Sequence, residues 1–284
     1  MSKLTKTLLF LFLPVAVLIW VEIAKSPTAD SRKDPAVYFL DVGQGDAQLI
    51  QNGNYQILID GGPDDKILPE LGKYMPVGDR EIEIVILSHP HADHLVGLNQ
   101  VIDRYQIGRI YTNGVLYDSN QYEEFIDKIK DKKIETVIPK IGESIIPFTN
   151  SALTFLWPGE KYKDQIIKNL NNSSEVVKFC YLLKCVLFTG DLEEDEQANM
   201  FTFYSSSAGD NFKADILKVP HHGSSTGLSD DLYNFVAPTA AIISAGIDNR
   251  YAHPHKQVID YLSSKNIEIR RTDLEGTIVT GLGQ

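Results

Sequence analysis

The sequence predicts an α/β fold, an αββα sandwich of two sheets covered by outer helices, and three observations lead there. Short apolar runs rich in β-branched residues recur along the chain; amphipathic helical stretches fall between them; no internal repeat or second low-complexity linker divides the chain after its first few dozen positions. The runs expected as strands are Val37–Val42, Tyr55–Ile59, Ile82–Leu87, Arg109–Thr112, Val176–Phe188, Ile216–Val219 and Ala240–Ser244, each bounded by turn residues. Those expected as helices are Leu95–Tyr105, Tyr122–Lys130, Glu193–Phe201, Leu232–Phe235 and Lys256–Ser264, where apolar positions recur at helical spacing above a polar face. At 284 residues the chain suffices for one large domain with a covered core.

The organisation expected is a leader over residues 1–25, a polar linker over 26–35 and one domain over 36–284. Lys3 and Lys6 precede an apolar run from Leu8 to Val21, after which Glu22, Lys25 and Pro27 turn the chain polar. That run of about 14 residues is long for a signal-peptide core and short of the ~20 that span a bilayer comfortably. No clean small-x-small cleavage site follows it, which favours an uncleaved membrane anchor over a cleaved signal peptide, so a membrane-anchored or secreted protein is expected. The basic residues before the run would leave the domain outside the cytoplasm.

Composition narrows the function. With 43% hydrophobic and 23% charged residues, wholesale disorder is excluded, and a net charge of -11 argues against a broad electrostatic footprint on duplex nucleic acid. Phosphodiester cleavage is not excluded, since bound divalent metals would carry local positive charge. The two cysteines, Cys180 and Cys185, fall within the single strand expected at Val176–Phe188. On one straight strand they would face opposite sides on the order of 16 Å apart, so two small core residues are expected rather than a bridge.

The chemistry is concentrated at strand ends. Ile82–Leu87 runs into Ser88-His89-Pro90-His91-Ala92-Asp93-His94, which puts four metal-capable side chains within six positions. Imidazole and carboxylate together suit zinc, manganese or iron, and such crowding leaves ligands for a second ion. All seven histidines fall into three clusters, His89/His91/His94, His221/His222 and His253/His255, each following an expected strand. Asp191 closes Phe188-Thr189-Gly190-Asp191 after another strand, where a carboxylate can bridge two metals.

These motifs carry a resemblance. His89-x-His91-x-Asp93-His94, with Leu58-Ile59-Asp60-Gly61-Gly62 before it, resembles the signature of the metallo-β-lactamase superfamily. More narrowly, four further segments resemble the hydrolase domain of ComEC-type competence proteins. They are Asp41-Val42-Gly43-Gln44-Gly45-Asp46, Phe188-Thr189-Gly190-Asp191, Lys218-Val219-Pro220-His221-His222-Gly223-Ser224 and Asn249-Arg250-Tyr251-Ala252-His253-Pro254-His255, and the match runs from about Val37 to Ile278. The resemblance implies the metallo-β-lactamase fold and a metal-dependent hydrolase with two divalent ions, zinc or manganese. It implies that His89 and His91 hold one metal, Asp93 and His94 the other, and that Asp191 bridges. One of His221 and His222 completes the second site, and spacing from Asp215 favours His221. Asp60 supports the metal loop by hydrogen bonds. Asp93 also orients the attacking water, and His253 or His255 binds a phosphate or protonates the leaving group.

The sequence departs from many superfamily members in one respect: no histidine lies between Gly97 and Gly190, and Asn171-Asn172-Ser173-Ser174 occupies that stretch. A first site completed by water or an amide oxygen, or one preferring manganese, is therefore expected. The substrate implied is a phosphodiester such as single-stranded DNA, met outside the cytoplasm, with the membrane as a partner through the N-terminal segment. The long channel-forming region of competence proteins has no counterpart, so a standalone domain that does not itself translocate DNA is expected. The alternatives are another ester, lactone or β-lactam hydrolase, including a teichoic-acid or phosphorylcholine esterase, and a non-catalytic metal-binding protein tethered to the membrane.

Overall fold

The computed structural model describes residues 34–205 and 208–283. The expected leader and most of the expected linker lie outside the described residues. Among those described, no helix is long and apolar enough to cross a membrane.

The chain forms β1 (Ala36–Phe39), β2 (Gln48–Asn52), β3 (Tyr55–Ile59), β4 (Glu81–Leu87), β5 (Gln106–Thr112) and β6 (Glu135–Val137). It continues through β7 (Ser144–Ile145), β8 (Ser151–Trp157), β9 (Val176–Tyr181), β10 (Lys184–Phe188), β11 (Ile216–Lys218), β12 (Ala240–Ile243), β13 (Glu268–Arg271) and β14 (Ile278–Gly281). One sheet has the order β14-β1-β2-β3-β4-β5-β6 and the other β13-β12-β11-β10-β9-β8-β7. The strands β3 to β6 run parallel, as do β10 to β13, so the carboxyl ends within each group open on one rim.

Alternation along the strands sorts the apolar residues into layers. Val37 and Phe39 of β1 and Ile57 and Ile59 of β3 face Phe155, Phe179, Val186 and Phe188 of the other sheet. Tyr38 and Leu58 face outward, under α1 (Ile67–Tyr74), α2 (Ala92–Arg104) and α3 (Asn120–Lys132). On the far side Leu187, Leu217 and Ile243 pack beneath α4 (Glu194–Tyr204), α5 (Asp230–Val236) and α6 (Lys256–Ser264). With both faces of the central strands covered, β4 and β12 read as nearly continuous apolar runs. The fold is the αββα sandwich expected.

One expectation is corrected. Val176–Phe188 is a hairpin rather than one strand, because Leu182 takes a left-handed φ of 53° and turns the chain between β9 and β10. Cys180 and Cys185 thereby become register partners with Cα atoms 4.1 Å apart, and they form a disulfide.

Candidate metal centre

The site stands on loops that leave the strands at that rim. The loop after β3 carries Asp60, that after β4 carries His89 and His91 and enters α2 at Asp93 and His94, that after β10 carries Asp191, and that after β11 carries His221 and His222. Close backbone packing holds the first two loops together: Gly61 N donates to His94 O at 2.7 Å and Gly97 N to Gly62 O at 2.9 Å. A Cβ at Gly97 would lie 1.8 Å from Gly61 O, so only glycine permits this approach.

Ligand atoms of Asp93, His94, Asp191 and His222 lie within 4.8 Å of one another, and all but Asp93 are buried. His94 Nε2 is 3.2 Å and His222 Nε2 3.4 Å from Asp191 Oδ2, while His222 Nε2 is 3.3 Å from Asp93 Oδ2. The opposite ring nitrogens are already engaged. His94 Nδ1 meets Asp60 Oδ2 at 2.8 Å, and His222 Nδ1 meets the Ser244 carbonyl at 3.0 Å. Asp60 in turn accepts from Ser88 N and Ser88 Oγ at 2.8 and 2.6 Å, which fixes the carboxylate that fixes the ring.

The donor set fits a divalent ion. His94 Nε2, His222 Nε2 and Asp191 Oδ1 are buried and make no hydrogen bond of good geometry with the described residues, a costly arrangement unless another group satisfies them. Two neutral-capable imidazoles with two carboxylates match zinc or manganese chemistry. Asp46, Asp60 and His94 Nδ1 also lie close together, but that group is already filled. The ammonium of Lys218, itself fully buried, contacts Asp46 and the Gly190 carbonyl, and Ser88 engages Asp60.

His89 and His91 face each other, Nε2 to Nδ1 at 3.0 Å, with His89 Nε2 4.0 Å from Asp191 Oδ2. The chain thus brings His89, His91, Asp93, His94, Asp191 and His222 to one rim, with Asp60 behind. The preference for His221 over His222 is corrected. His221 Nε2 is 3.9 Å from Asp191 and its Nδ1 turns to Thr226 and Glu193 at 3.0 and 3.3 Å. Both histidines have left-handed φ values, 50° and 52°, so strand alternation counted from Asp215 does not extend to them.

His253 enters the same pocket, its ring 5.4 Å from that of His221. His255 does not join it. Its Nδ1 accepts from Ser225 N at 3.0 Å and its Nε2 lies 3.3 Å from the Tyr251 carbonyl, so both ring nitrogens serve the loop. The catalytic role expected of His255 thus gains no support from where it sits.

Burial and charge polarise the site. Burial works against ionisation of His94 and His222, but Asp191, with Asp60 for the first and Asp46 for the second, raises both well above the ordinary histidine range. Burial and the charge of His94 lower His89 and His91. Burial also pushes His253 down, to about 4, reinforced by its histidine neighbours. Burial opposes the ionisation of Asp191, yet His222 and His94 hold it well below the usual carboxylate range.

A pocket of about 370 Å³ opens over these groups, and Gln44, Tyr117, Asn171 and Tyr251 complete its walls. Asn171 Oδ1 is buried and makes no hydrogen bond of good geometry among the described residues, while Nδ2 donates to Glu193 at 3.1 Å. Asp46, Lys218 and Gln44 received no role from the sequence, although each stands in a quoted motif; Lys218 lies three positions before His221, whereas Gln44 and Asp46 are far in sequence from every histidine and only membership of their motif pointed to them.

The chain matches the family model described as the metallo-beta-lactamase superfamily over residues 40–247. Among curated proteins it is 28% identical to ComE operon protein 3 of Bacillus subtilis, over 85% of this chain and 32% of that protein. It is also 28% identical to Competence protein ComA of Neisseria gonorrhoeae, over 95% of this chain and 36% of that one. The chain spans about a third of the length of these relatives, and the ComEC-type resemblance holds through them. Among solved structures, YhfI from Bacillus subtilis aligns with a TM-score of 0.54 at 16% identity, over 87% of this chain and 99% of that one. Zinc-bound PqqB from Methylobacterium extorquens aligns at 0.55 and 11%, over 87% and 100%. These structural likenesses speak for the fold alone. On the family match, with the strand-end His/Asp cluster in support, the chain belongs to the metallo-β-lactamase superfamily.

Proposed function

We propose that this chain is a metal-dependent phosphodiesterase acting on single-stranded nucleic acid outside the cytoplasm, with two divalent ions, zinc or manganese, at the rim. The observation that carries the reading is the convergence of Asp93, His94, Asp191 and His222, with both imidazole Nε2 atoms turned toward the carboxylates yet making no hydrogen bond of good geometry among the described residues. Those four would hold one ion. His89 and His91, with Asp191 shared and the Asn171 amide oxygen in the same pocket, would hold the other. Bound divalent ions supply Lewis acidity and a nucleophile near neutral pH. Asp60 and the Ser244 carbonyl lock the two imidazoles in orientation, which removes a reorganisation cost from binding. His253, kept neutral by burial and with Nδ1 lacking a hydrogen-bond partner among the described residues, lines the cavity and would hold an oxygen of the substrate by a neutral ring hydrogen bond.

The substrate class is supported by the curated relatives, one of which is a competence protein by name. Location outside the cytoplasm is supported by the Cys180–Cys185 disulfide, since such bonds persist in oxidising compartments, and by the leader expected over residues 1–25.

Purified protein should be assayed with manganese and with zinc against labelled single-stranded DNA, bis-p-nitrophenyl phosphate and nitrocefin. The expected outcome is turnover of both phosphodiesters and none of nitrocefin. His222→Ala should lose at least ~100-fold in kcat/KM together with bound metal, and His221→Ala distinctly less. Turnover of nitrocefin alone, or equal metal loss in the two variants, overturns the reading.

A further inference from the structure

Beside the metal pocket lies a second cavity of about 400 Å³, and the two share Gln44, Ala92, Asp93 and Tyr251. They form one cleft with two lobes. We infer that the side lobe is a subsite for the phosphate next to the one cleaved, held by Arg250 and Gln44, so that the enzyme acts on a chain of at least two phosphates. This inference rests on the phosphodiester reading of the metal centre and names what that site selects.

Two independent features point there. The first is charge. The protein carries a net charge of -11, and acids line the metal pocket. Among the described residues lining either lobe, Arg250 is the only lysine or arginine. Its guanidinium lies 4.7 Å from the centroid of the Tyr251 ring and donates to Tyr251 Oη, so it is pre-positioned. Arginine keeps its charge at every relevant pH, and its planar fork matches two phosphate oxygens.

The second feature is an orphaned donor at the junction of the lobes. Gln44 Oε1 accepts from Gly246 N at 3.1 Å, which fixes the orientation of the amide. Its Nε2 is buried and lacks a hydrogen-bond partner among the described residues. A buried N–H without an acceptor is expensive, and a phosphate oxygen bridging the two lobes would satisfy it. The loop carrying Arg250 is rigid as well. Asn249 Oδ1 accepts from the backbone of Tyr251 and His253 at 3.2 and 3.0 Å, and its Nδ2 donates to the Gly246 carbonyl at 2.9 Å. Gly246 also permits the approach to Gln44, since a Cβ there would lie 2.7 Å from Gln44 N.

The test separates binding from turnover. Binding of a fluorescein-labelled single-stranded oligothymidylate is measured in EDTA over a range of salt, where no cleavage occurs. Arg250→Ala should weaken binding roughly tenfold, the worth of one charge-assisted contact, and reduce the slope of log affinity against log salt by about 0.7, the value for one lost phosphate contact on a single strand. Gln44→Glu keeps the bond from Gly246 N but turns the donor into an acceptor, and should weaken binding comparably. In turnover, a terminal phosphate at one end of thymidylyl-thymidine should raise wild-type kcat/KM roughly tenfold, and Arg250→Ala should lose that gain. If the wild type does not bind the oligomer, or if Arg250→Ala keeps affinity, slope and the terminal-phosphate gain, the side lobe is not a phosphate subsite. If the wild type binds with the Arg250-dependent slope yet cleaves no phosphodiester, the subsite stands and the hydrolytic reading falls.

Discussion

Lys218 is the residue whose removal should be felt most. It is fully buried, and its ammonium contacts Asp46, donates to the Gly190 carbonyl at 2.9 Å and lies 3.6 Å from Asp191 Oδ1. Lys218→Met preserves the length of the side chain and deletes the charge. Asp46 and Asp191 then lack the fixed cation that compensates them inside the protein. Breaking a buried pair from one side costs about 3–5 kcal/mol. For a domain of this size each kcal/mol lowers Tm by about 2–4 °C, so a fall of ~6–20 °C follows. The assay is thermal and urea unfolding of EDTA-treated protein, read by near-UV circular dichroism at low and high salt. The loss should be nearly independent of salt, since a buried pair is poorly screened. Lys218→Met combined with Asp46→Leu should be less unstable than the sum of the singles, with a coupling of about 1–3 kcal/mol. A Lys218→Met protein within ~1 kcal/mol of wild type, or strict additivity in the double variant, would refute the idea that this lysine balances the acids.

Three further outcomes follow. Glu175 is buried and neither carboxyl oxygen has a hydrogen-bond partner among the described residues; burial holds it well above the ordinary value near 4.5. The folded state therefore binds the proton more tightly than the unfolded one. Stability from this group is complete below the unfolded value and declines as pH rises toward the folded one. The advantage of Glu175→Gln over wild type should grow by up to about 1.4 kcal/mol per pH unit across that window, and parallel stability curves in urea would count against it. Gly97→Ala should destabilise by more than ~3 kcal/mol and abolish metal uptake in equilibrium dialysis, because its Cβ would overlap Gly61 O; normal uptake would show that the two loops can separate freely. Replacing both Cys180 and Cys185 by alanine should cost only about 2 kcal/mol by urea unfolding, as the closed loop is short.

Much of this molecule was legible in its sequence, for physical reasons that can be named. Ile82–Leu87, Tyr55–Ile59 and Lys256–Ser264 were readable because burial of the strands on both faces and of the helix on one leaves unmistakable patterns. The histidines stood out because polar ligands gather where strands end. Edge strands such as Glu135–Val137 and Ser144–Ile145 were not readable, being short and only partly buried. The hairpin at Leu182 and Leu183 was missed because no glycine, proline or asparagine marks the turn, and the disulfide was missed with it. Choosing between His221 and His222 required knowing that the backbone turns left-handed at both, and adjacent residues carry no trace of that. His255 looked like a site residue beside His253, yet only its hydrogen bonds reveal that it serves its own loop.

The pairing of β14 with β1 has a consequence for the making of the protein. Val37 at the start of the domain meets Thr280 near its far end. While the chain emerges from a ribosome, the first sheet must wait with a bare strand edge until the rest of this domain has been synthesised. Such an edge invites pairing with other chains. A shortened product lacking Ile278–Gly281 would keep every histidine and still expose that seam, so aggregation rather than loss of chemistry would be its characteristic failure.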